Sequence, residues 1–368
     1  MKFSFRSLAA GAALFIALAA WAGDTRRFDL DTFDRFSAGT AEGVEIRSSG
    51  RVAPAPSVKE FKLDEDAVWS AVAGRTGEVY VGTGNRGRVY RFSGGTFKQV
   101  AQVDRVMVTR VGVDNTGQVW FVAVPEAVLY RLGGNGPVKV AELGETYAWD
   151  FAFVGDEIYV ATGPKGRILR LSREGKKLGT IETGEEHVMC LLRAGDGKLY
   201  AGTSGDGLLL EVKPDGFRIL HDFEEKEVRS LGWVEEDKAL VAAVNQDGSS
   251  RPTPSPSGPS GGPSREQPRP AVSGVGSDED KEDEQPPAII IIPSSAAPRG
   301  RGRASGAVYA SIGGGVRKLF DLPKRAAVAL AVAGSDIYVG ADQEGKVYKC
   351  RATRSDYSIA FDIPPAQA

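Results

Sequence analysis

Four aromatic residues recur at intervals of about forty residues, each inside the same short pattern. Tyr80, Trp120, Tyr159 and Tyr200 are separated by 40, 39 and 41 residues, and a further copy surrounds Tyr338. The pattern is a polar turn, an apolar strand, a glycine-rich turn and a second apolar strand. β-Branched and aromatic residues between glycine turns are typical of strands. A forty-residue period of strands and turns, without helical periodicity, predicts an all-β chain folded as a β-propeller.

Each copy divides into up to four antiparallel strands, which we name A to D in chain order. In the first clear copy we predict them at 68–73, 78–82, 88–92 and 97–103. Markers of strand C are spaced by 40, 39 and 40 residues, then by 100, then by 39. They are Tyr90, Tyr130, Leu169, Leu209, Tyr309 and Tyr348. The interval of 100 indicates one repeat carrying an insertion of about 60 residues.

The insertion, 246–304, is rich in Pro, Ser and Gly. It also contains the acidic run Asp278–Glu284 and the basic residues Arg299, Arg301 and Arg303. Such a composition buries too little apolar surface to offset the entropy of ordering, so we predict a disordered loop between strands B and C of one blade. It could act as a partner-binding arm or as a passive spacer, and we favour the spacer.

The number of blades is less constrained. Six complete copies follow Val68, and Gly43–Val52 resembles a further pair of strands. Because Val58–Leu63 resembles strand D of the other copies, we favour seven blades with an abbreviated first blade, and six as the alternative. The predicted organisation is a lead-in at 23–42, a propeller at 43–363 that contains the insertion, and a tail at 364–368.

The N-terminus has the pattern of a cleavable signal peptide at 1–22. Lys2 and Arg6 precede an apolar run from Leu8 to Ala20, and Ala20-Trp21-Ala22 is an A-x-A cleavage site. The apolar run is shorter than the roughly 20 residues that span a bilayer. We therefore expect an exported protein, periplasmic or secreted, without stable membrane insertion after cleavage.

The composition limits the partners. Without Lys2 and Arg6, the 46 basic residues fall to 44 against 48 acidic ones, a net charge of −4. A mildly acidic chain has no global attraction to nucleic acid. We expect a monomer that binds a protein or small-molecule ligand, without a cofactor. The two cysteines, Cys190 and Cys350, lie in different repeats, and we predict that both are unpaired core residues.

Two familiar motifs are excluded by context. The Gly-rich turns, such as Gly82–Gly87, are followed by strands, whereas a phosphate-binding loop requires a following helix. His187 is near Cys190, but residues three apart on a strand face opposite sides. The two histidines and two cysteines of the chain have neither the number nor the spacing of a zinc site. We predict no catalytic residue and no bound metal.

The candidate binding site is a ring of residues at the entrance of successive A strands. Such positions line the mouth of a propeller's central channel, where ligands bind. The candidate residues are Asp66, Glu186, His187, Lys226 and Arg325; Val106 and Thr146 occupy the equivalent positions in the remaining blades. A mixed-charge, solvated rim is the simpler interpretation of this ring. Trp69, Trp149 and Trp233 lie in A strands, where packing is favoured over a stacking platform.

The repeat resembles the WD40/YVTN-type superfamily of bacterial exported propellers, which includes sensor-type propellers. Tyr80-Val81-Gly82-Thr83 and Tyr338-Val339-Gly340 carry the resemblance. It implies a propeller fold. Because the residues form no catalytic constellation and the ring is mixed in charge, we favour a non-enzymatic binding or interaction scaffold that contacts its ligand or partner at the channel mouth. Lyase and lactonase propellers are similar in architecture and use His or acidic metal sites at the channel mouth. The alternative is therefore a metal-dependent lactonase- or lyase-like enzyme using Asp66, Glu186 and His187.

Overall fold

The computed structural model describes residues 32–39, 41–246, 305–322, 324–342 and 345–362. The predicted signal peptide, almost all of the insertion (247–304) and the tail lie outside the described residues. The chain divides into two compact units, Met1–Gly39 and Thr40–Ala368.

The described element of the first unit is a single helical turn, α1 (Phe33–Phe36). Thr32 is its N-cap: the Oγ1 atom accepts a hydrogen bond from the Arg35 amide at 3.3 Å, which satisfies one of the free N–H groups at a helix start. No helix among the described residues combines the length and apolar character needed to cross a bilayer.

The second unit consists of β-strands arranged in antiparallel four-stranded units, the blades, which we number I to VI. The bounds of the first three blades are as follows: blade I, β3 (Val68–Ala73), β4 (Val79–Thr83), β5 (Arg88–Ser93) and β6 (Thr96–Gln102); blade II, β7 (Met107–Val113), β8 (Val119–Val124), β9 (Val128–Gly133) and β10 (Gly136–Glu142); blade III, β11 (Tyr147–Val154), β12 (Glu157–Gly163), β13 (Arg167–Ser172) and β14 (Lys177–Glu182).

The strands of the last three blades follow the same scheme, and the two strands that precede blade I in the chain are added to blade VI. Their bounds are: blade IV, β15 (His187–Arg193), β16 (Leu199–Ser204), β17 (Leu208–Lys213) and β18 (Gly216–Asp222); blade V, β19 (Glu227–Val234), β20 (Ala239–Asn245), β21 (Gly306–Ile312) and β22 (Gly315–Leu322); blade VI, β23 (Ala327–Ala333), β24 (Asp336–Ala341), β25 (Lys346–Cys350) and β26 (Tyr357–Asp362); and, at the outer edge of blade VI, β1 (Val44–Arg47) and β2 (Val52–Pro54). The prediction of a β-propeller built from four-stranded antiparallel blades is confirmed.

The favoured count of seven blades is not confirmed: the strands within the described residues form six blades. β1 and β2 pair with each other, but they do not start a blade of their own. β1 pairs instead with β26, with Ile46 opposite Ile359, so the hairpin extends blade VI to six strands. Residues 58–63, predicted as a D strand, contain no strand. The exposed backbone edge of β26 supplies hydrogen-bond partners that a two-stranded hairpin alone lacks.

The second strand of blade II packs against both neighbouring blades. In β8, Trp120, Val122 and Val124 join a buried cluster with residues of blade III. The alternate residues, Phe121 among them, join a cluster with residues of blade I. Side chains alternate between the two faces of a strand, and both faces of β8 are covered, so all of its residues are buried. This explains why β8 is apolar throughout.

Hydrogen bonds between side chains and backbone groups connect successive blades, mainly through their A strands. Asp150 on β11 accepts the Leu191 amide of β15 at 3.0 Å and forms an ion pair with Arg110 of β7 at 2.9 Å. Such bonds occur at each junction from blade I to blade VI: Val111 N to Ser70 Oγ, Thr109 Oγ1 to the Ala148 carbonyl, Leu191 N to Asp150 Oδ2, Cys190 Sγ to the Val228 carbonyl, and Ala327 N to Asn245 Oδ1.

Both cysteines are buried and unpaired, as predicted. Burial in apolar surroundings raises the pKa of both thiols, that of Cys350 to about 12. Neither thiol is therefore ionised near neutral pH.

Candidate functional site

The strand order places two sets of loops on one face of the blades. Strand A leaves this face, strand B returns to it, and strands C and D repeat the path. The B–C turns and the D–A loops therefore lie on the same face, which we call the mouth face. The predicted ring belongs to it, since each member lies at or just before the start of an A strand.

Asp66 and Arg325 each have a polar partner within their own blade, whereas the partner of Lys226 lies in the preceding blade. The Asn85 amide nitrogen donates to Asp66 at 3.1 Å. In blade IV, exposed Asp206 reaches across to Lys226 at the entry of β19, 3.5 Å away. Arg325 donates to the hydroxyl of Tyr348, at 3.1 Å. These contacts tie a D–A loop to a neighbouring turn or strand. For exposed pairs such as Lys226 with Asp206 the contribution to stability is at most about 1 kcal/mol.

His187 belongs to an aromatic cluster at the junction of blades III and IV. The indole N–H of Trp149 donates to His187 Nδ1 at 3.0 Å. The ring of Tyr147 is stacked on Trp149, with centroids 4.8 Å apart and planes at 14°. Since Nδ1 accepts a hydrogen bond, the neutral imidazole carries its proton on Nε2. That atom is 3.8 Å from Glu186 Oε1.

The cluster depends on a glycine in the neighbouring strand. A Cβ atom added at Gly163 would approach His187 Nδ1 to 1.9 Å, far inside van der Waals contact. Gly163 is the last residue of β12 and lies opposite Tyr147 in the sheet. The glycine therefore provides the space in which the imidazole meets the indole.

The three residues of the metal-enzyme alternative do not form one site. Glu186 and His187 are neighbours, but Asp66 belongs to blade I, where it accepts from Asn85. Across the described ranges, no three His, Cys, Asp or Glu side chains are arranged to hold a metal ion. The described residues therefore do not fit the metal site of that hypothesis.

Sequence reasoning missed a second set of acidic residues, one position before the ring. Glu65, Glu145, Glu185 and Glu225 recur at intervals of 40 residues or a multiple of it, which was the available signal. Glu65 shows their role: the buried carboxylate accepts hydrogen bonds from Arg88 at 3.0 Å and from the Tyr90 hydroxyl at 2.5 Å. Glu145 likewise pairs with Arg167, at 3.1 Å.

An open cleft on the mouth face lies between blades I and II. This open cleft has a volume of about 640 Å³, within the usual range for ligand sites. One wall is the B–C turn of blade I, the base is the D–A loop, and the other wall is the B–C turn of blade II. The lining residues are Asn85, Arg86, Gln102, Val103, Asp104, Arg105, Val106, Pro125 and Glu126. Of the ring positions, only that of Val106 lines this cleft.

No protein-family model and no curated protein sequence matches the chain. The chain does match solved structures of the same fold. A streptogramin B lyase structure matches with a TM-score of 0.59 and 10% identity, over 84% of this chain and 88% of that one. The WD40 repeats of RRP9 match with a TM-score of 0.56 and 9% identity, over 84% and 85%.

A third similar structure is the extracellular domain of a putative one-component system, BT4673, from B. thetaiotaomicron. Its TM-score is 0.55 at 10% identity, over 81% of this chain but only 34% of that one. At these identities the comparisons establish the β-propeller fold. Function has to be argued from the site.

Proposed function

We propose that this protein is an exported, non-enzymatic binding scaffold whose partner is a protein or small-molecule ligand contacted at the mouth face. The observation that carries the proposal is the state of His187. Its Nδ1 atom accepts the indole N–H of Trp149, so it is not available as a base. Asp66, Lys226 and Arg325 of the ring likewise have polar contacts with neighbouring turns or strands. Because these contacts hold the loops of the mouth face in place, this face can bind a partner as a preformed surface.

Export is supported by the A-x-A site and the charged start of the chain. An extracellular domain among the similar structures is compatible with it. Intact-mass analysis of protein recovered from the periplasm or medium should find a chain that begins at Gly23. Retention of residues 1–22 would contradict export by cleavage.

The alternative function is a metal-dependent lactonase- or lyase-like activity. The observation in its favour is the adjacency of Glu186 and His187, beside the fold shared with a lyase. Thermal unfolding with EDTA, Ca²⁺ or Mg²⁺ separates the two hypotheses, because a ligand that binds the native state raises Tm by mass action. We expect no change; a Tm lowered by several degrees on chelation would favour the metal enzyme.

The use of the mouth face can be tested by site-specific photocrosslinking in the native host. A crosslinking amino acid replaces Lys165, an exposed residue of a B–C turn on the mouth face. The matched control replaces Asp215, an exposed residue of a C–D turn on the opposite face. We expect adducts from position 165 only. Adducts confined to position 215 would overturn the proposed binding face.

A further inference from the structure

We infer that the cleft between blades I and II binds an extended peptide that carries a carboxylate, with Arg86 and Arg105 as the recognition residues. This inference rests on the proposed function, because it names the ligand class and the place of binding on the mouth face. It is carried by four observations: a preformed base, an anchored guanidinium, a second exposed guanidinium, and side-chain amides along an apolar strip.

The base of the cleft is held rigidly before any ligand arrives. The Val103 amide donates to the Gly87 carbonyl at 3.0 Å, and the Gly87 amide donates to the Val106 carbonyl at 3.1 Å. The Val106 amide in turn donates to the Val124 carbonyl at 3.1 Å. Gly87 has a φ of +58°, and a Cβ there would lie 2.3 Å from the Arg105 carbonyl oxygen. A preformed surface loses little conformational entropy on binding.

Arg105 is anchored by backbone carbonyls from both sides. Its Nη1 donates to the Asp104 carbonyl at 2.6 Å, and its Nε donates to the Glu126 carbonyl at 3.3 Å. Its Nη2 is 3.8 Å from the carboxylate of Glu126. A guanidinium has five N–H donors in a fixed plane, so Nη2 and one N–H of Nη1 remain for a ligand. These donors match the two oxygens of a carboxylate.

The acidic residues of the cleft are weak competitors for that position. The Glu126 side chain is 87% exposed, whereas the Arg105 side chain is 24% exposed. An exposed ion pair contributes little because water screens it and both side chains lose freedom. A ligand carboxylate held by the rest of the cleft can therefore displace the side chain of Glu126. Asp104 binds Arg105 through its backbone carbonyl, and its side chain is exposed. The negative charge of that side chain disfavours more highly charged anions.

Arg86 provides the second cation. It lies in the B–C turn of blade I and is exposed. No hydrogen bond or ion pair engages its guanidinium within the described part of the chain. Arg86 in one wall and Arg105 in the base bring two guanidinium groups to the same cleft, and planar guanidinium donors match the two oxygens of a carboxylate.

The remaining lining indicates a peptide. Val103, Val106 and Pro125 form an apolar strip, and Val106 is 40% exposed. Asn85 and Gln102 border it with amide groups, which both donate and accept hydrogen bonds. An apolar strip with amides beside it complements the alternating side chains and backbone groups of an extended chain.

The test uses the mature full-length protein and two fluorescein-labelled tetrapeptides, acetyl-Val-Gly-Asp-Val-amide and the same peptide with Asn in place of Asp. Fluorescence polarisation measures Kd for the native protein, Arg86→Gln, Arg105→Lys and the control Arg131→Gln. Arg131 is an exposed residue of β9 outside the cleft. Free succinate, added as competitor, measures the affinity of the carboxylate alone.

We expect the Asp peptide to bind about tenfold more tightly than the Asn peptide, since hydrogen bonds to a charged group are the stronger ones. Arg86→Gln should remove that preference. Arg105→Lys retains the charge but loses the planar donors, and should weaken the Asp peptide selectively. Arg131→Gln should bind as the native protein does, and succinate should compete only weakly.

Equal affinity for the two peptides, or an Asp preference that survives Arg86→Gln, would overturn the inference. So would succinate binding as tightly as the peptide. If neither peptide binds while position 165 still gives crosslinks, the cleft inference fails and the scaffold proposal stands. If circular dichroism shows that Arg105→Lys is unfolded, Arg86→Gln alone decides the result.

Discussion

At the residue scale, contacts on the mouth face are close enough that one added side-chain atom would break them. His187 accepts the indole N–H of Trp149, and Gly163 leaves room for the imidazole. His187 is one of only two histidines in the chain and is a candidate binding residue. Here the structure shows that one of its nitrogens is committed to an inter-blade hydrogen bond. The residue therefore connects two blades, whatever it also contributes to ligand binding.

Gly163→Ala tests this contact. The added Cβ would overlap Nδ1 of His187, so the imidazole must move and the Trp149 N–H loses its acceptor. We expect the free energy of unfolding to fall by about 1–3 kcal/mol, measured by urea denaturation. Gly134→Ala is the matched control, because a Cβ at Gly134 meets nothing within 4 Å. Equal stability of the two variants would contradict the proposed role of Gly163.

At the element scale, one A–B turn illustrates how a polar side chain fixes strand geometry. Asp114 follows β7 and is buried. Its carboxylate accepts the Thr116 amide at 2.9 Å and the indole N–H of Trp120 at 2.9 Å. Arg173 of blade III forms an ion pair with it at 3.1 Å. The turn therefore connects the two strands of its hairpin and also the adjacent blade.

Asp114→Ala is expected to lower the free energy of unfolding by about 3 kcal/mol, because it leaves the buried N–H of Trp120 and the Arg173 guanidinium without their partner. Urea denaturation at neutral pH measures the difference. The control is Asp156→Ala in the exposed A–B turn of blade III, which should change stability by less than about 0.5 kcal/mol. A similar loss in both variants would contradict the assigned network.

The same carboxylate predicts a pH dependence. Burial raises the pKa of Asp114, but hydrogen bonds from Thr116 and Trp120 outweigh burial, so the pKa lies below its ordinary value of 3.8. A group with a lowered pKa in the folded state stabilises fully above its unfolded pKa and loses that effect as the pH falls through the folded pKa. The difference between native protein and Asp114→Ala should therefore be constant at neutral pH and shrink below about pH 3.8.

At the scale of the whole molecule, the long insertion interrupts a blade whose strands still pair. Asn245 on β20 lies opposite Gly306 on β21, and the Gln246 amide donates to the Ser305 carbonyl at 2.7 Å. The two ends of the segment 247–304 are therefore held next to each other. A hairpin closed in this way does not require the residues between its ends.

Deletion of residues 247–303, with a short Gly-containing turn in their place, should leave Tm within a few degrees, as measured by differential scanning calorimetry. Each doubling of loop length costs only about 0.6 kcal/mol. A variant with a Gly/Ser linker of the original length is the control for composition. Loss of folding in the deletion variant alone would show that the segment is part of the blade structure.

The sequence by itself determined the repeating unit. For blade I the predicted strands, 68–73, 78–82, 88–92 and 97–103, agree with β3 to β6 to within one residue at each end. Such agreement is possible because the signals are local: glycine turns, β-branched residues and a period of two lie within the strand itself. The unpaired, buried state of Cys190 and Cys350 also followed from their positions in different repeats.

Only the tertiary structure decided where the N-terminal hairpin belongs and which mouth residues meet. β1 has the same local signals whether it starts a blade or completes one, and its partner Ile359 is more than 300 residues away. The hydrogen bond from Trp149 to His187 likewise joins residues of two blades. The repeat pattern predicts the same strands and turns in every blade. It does not predict which side chains of neighbouring blades form contacts with each other. That depends on the distances between blades, which exist only in the assembled fold.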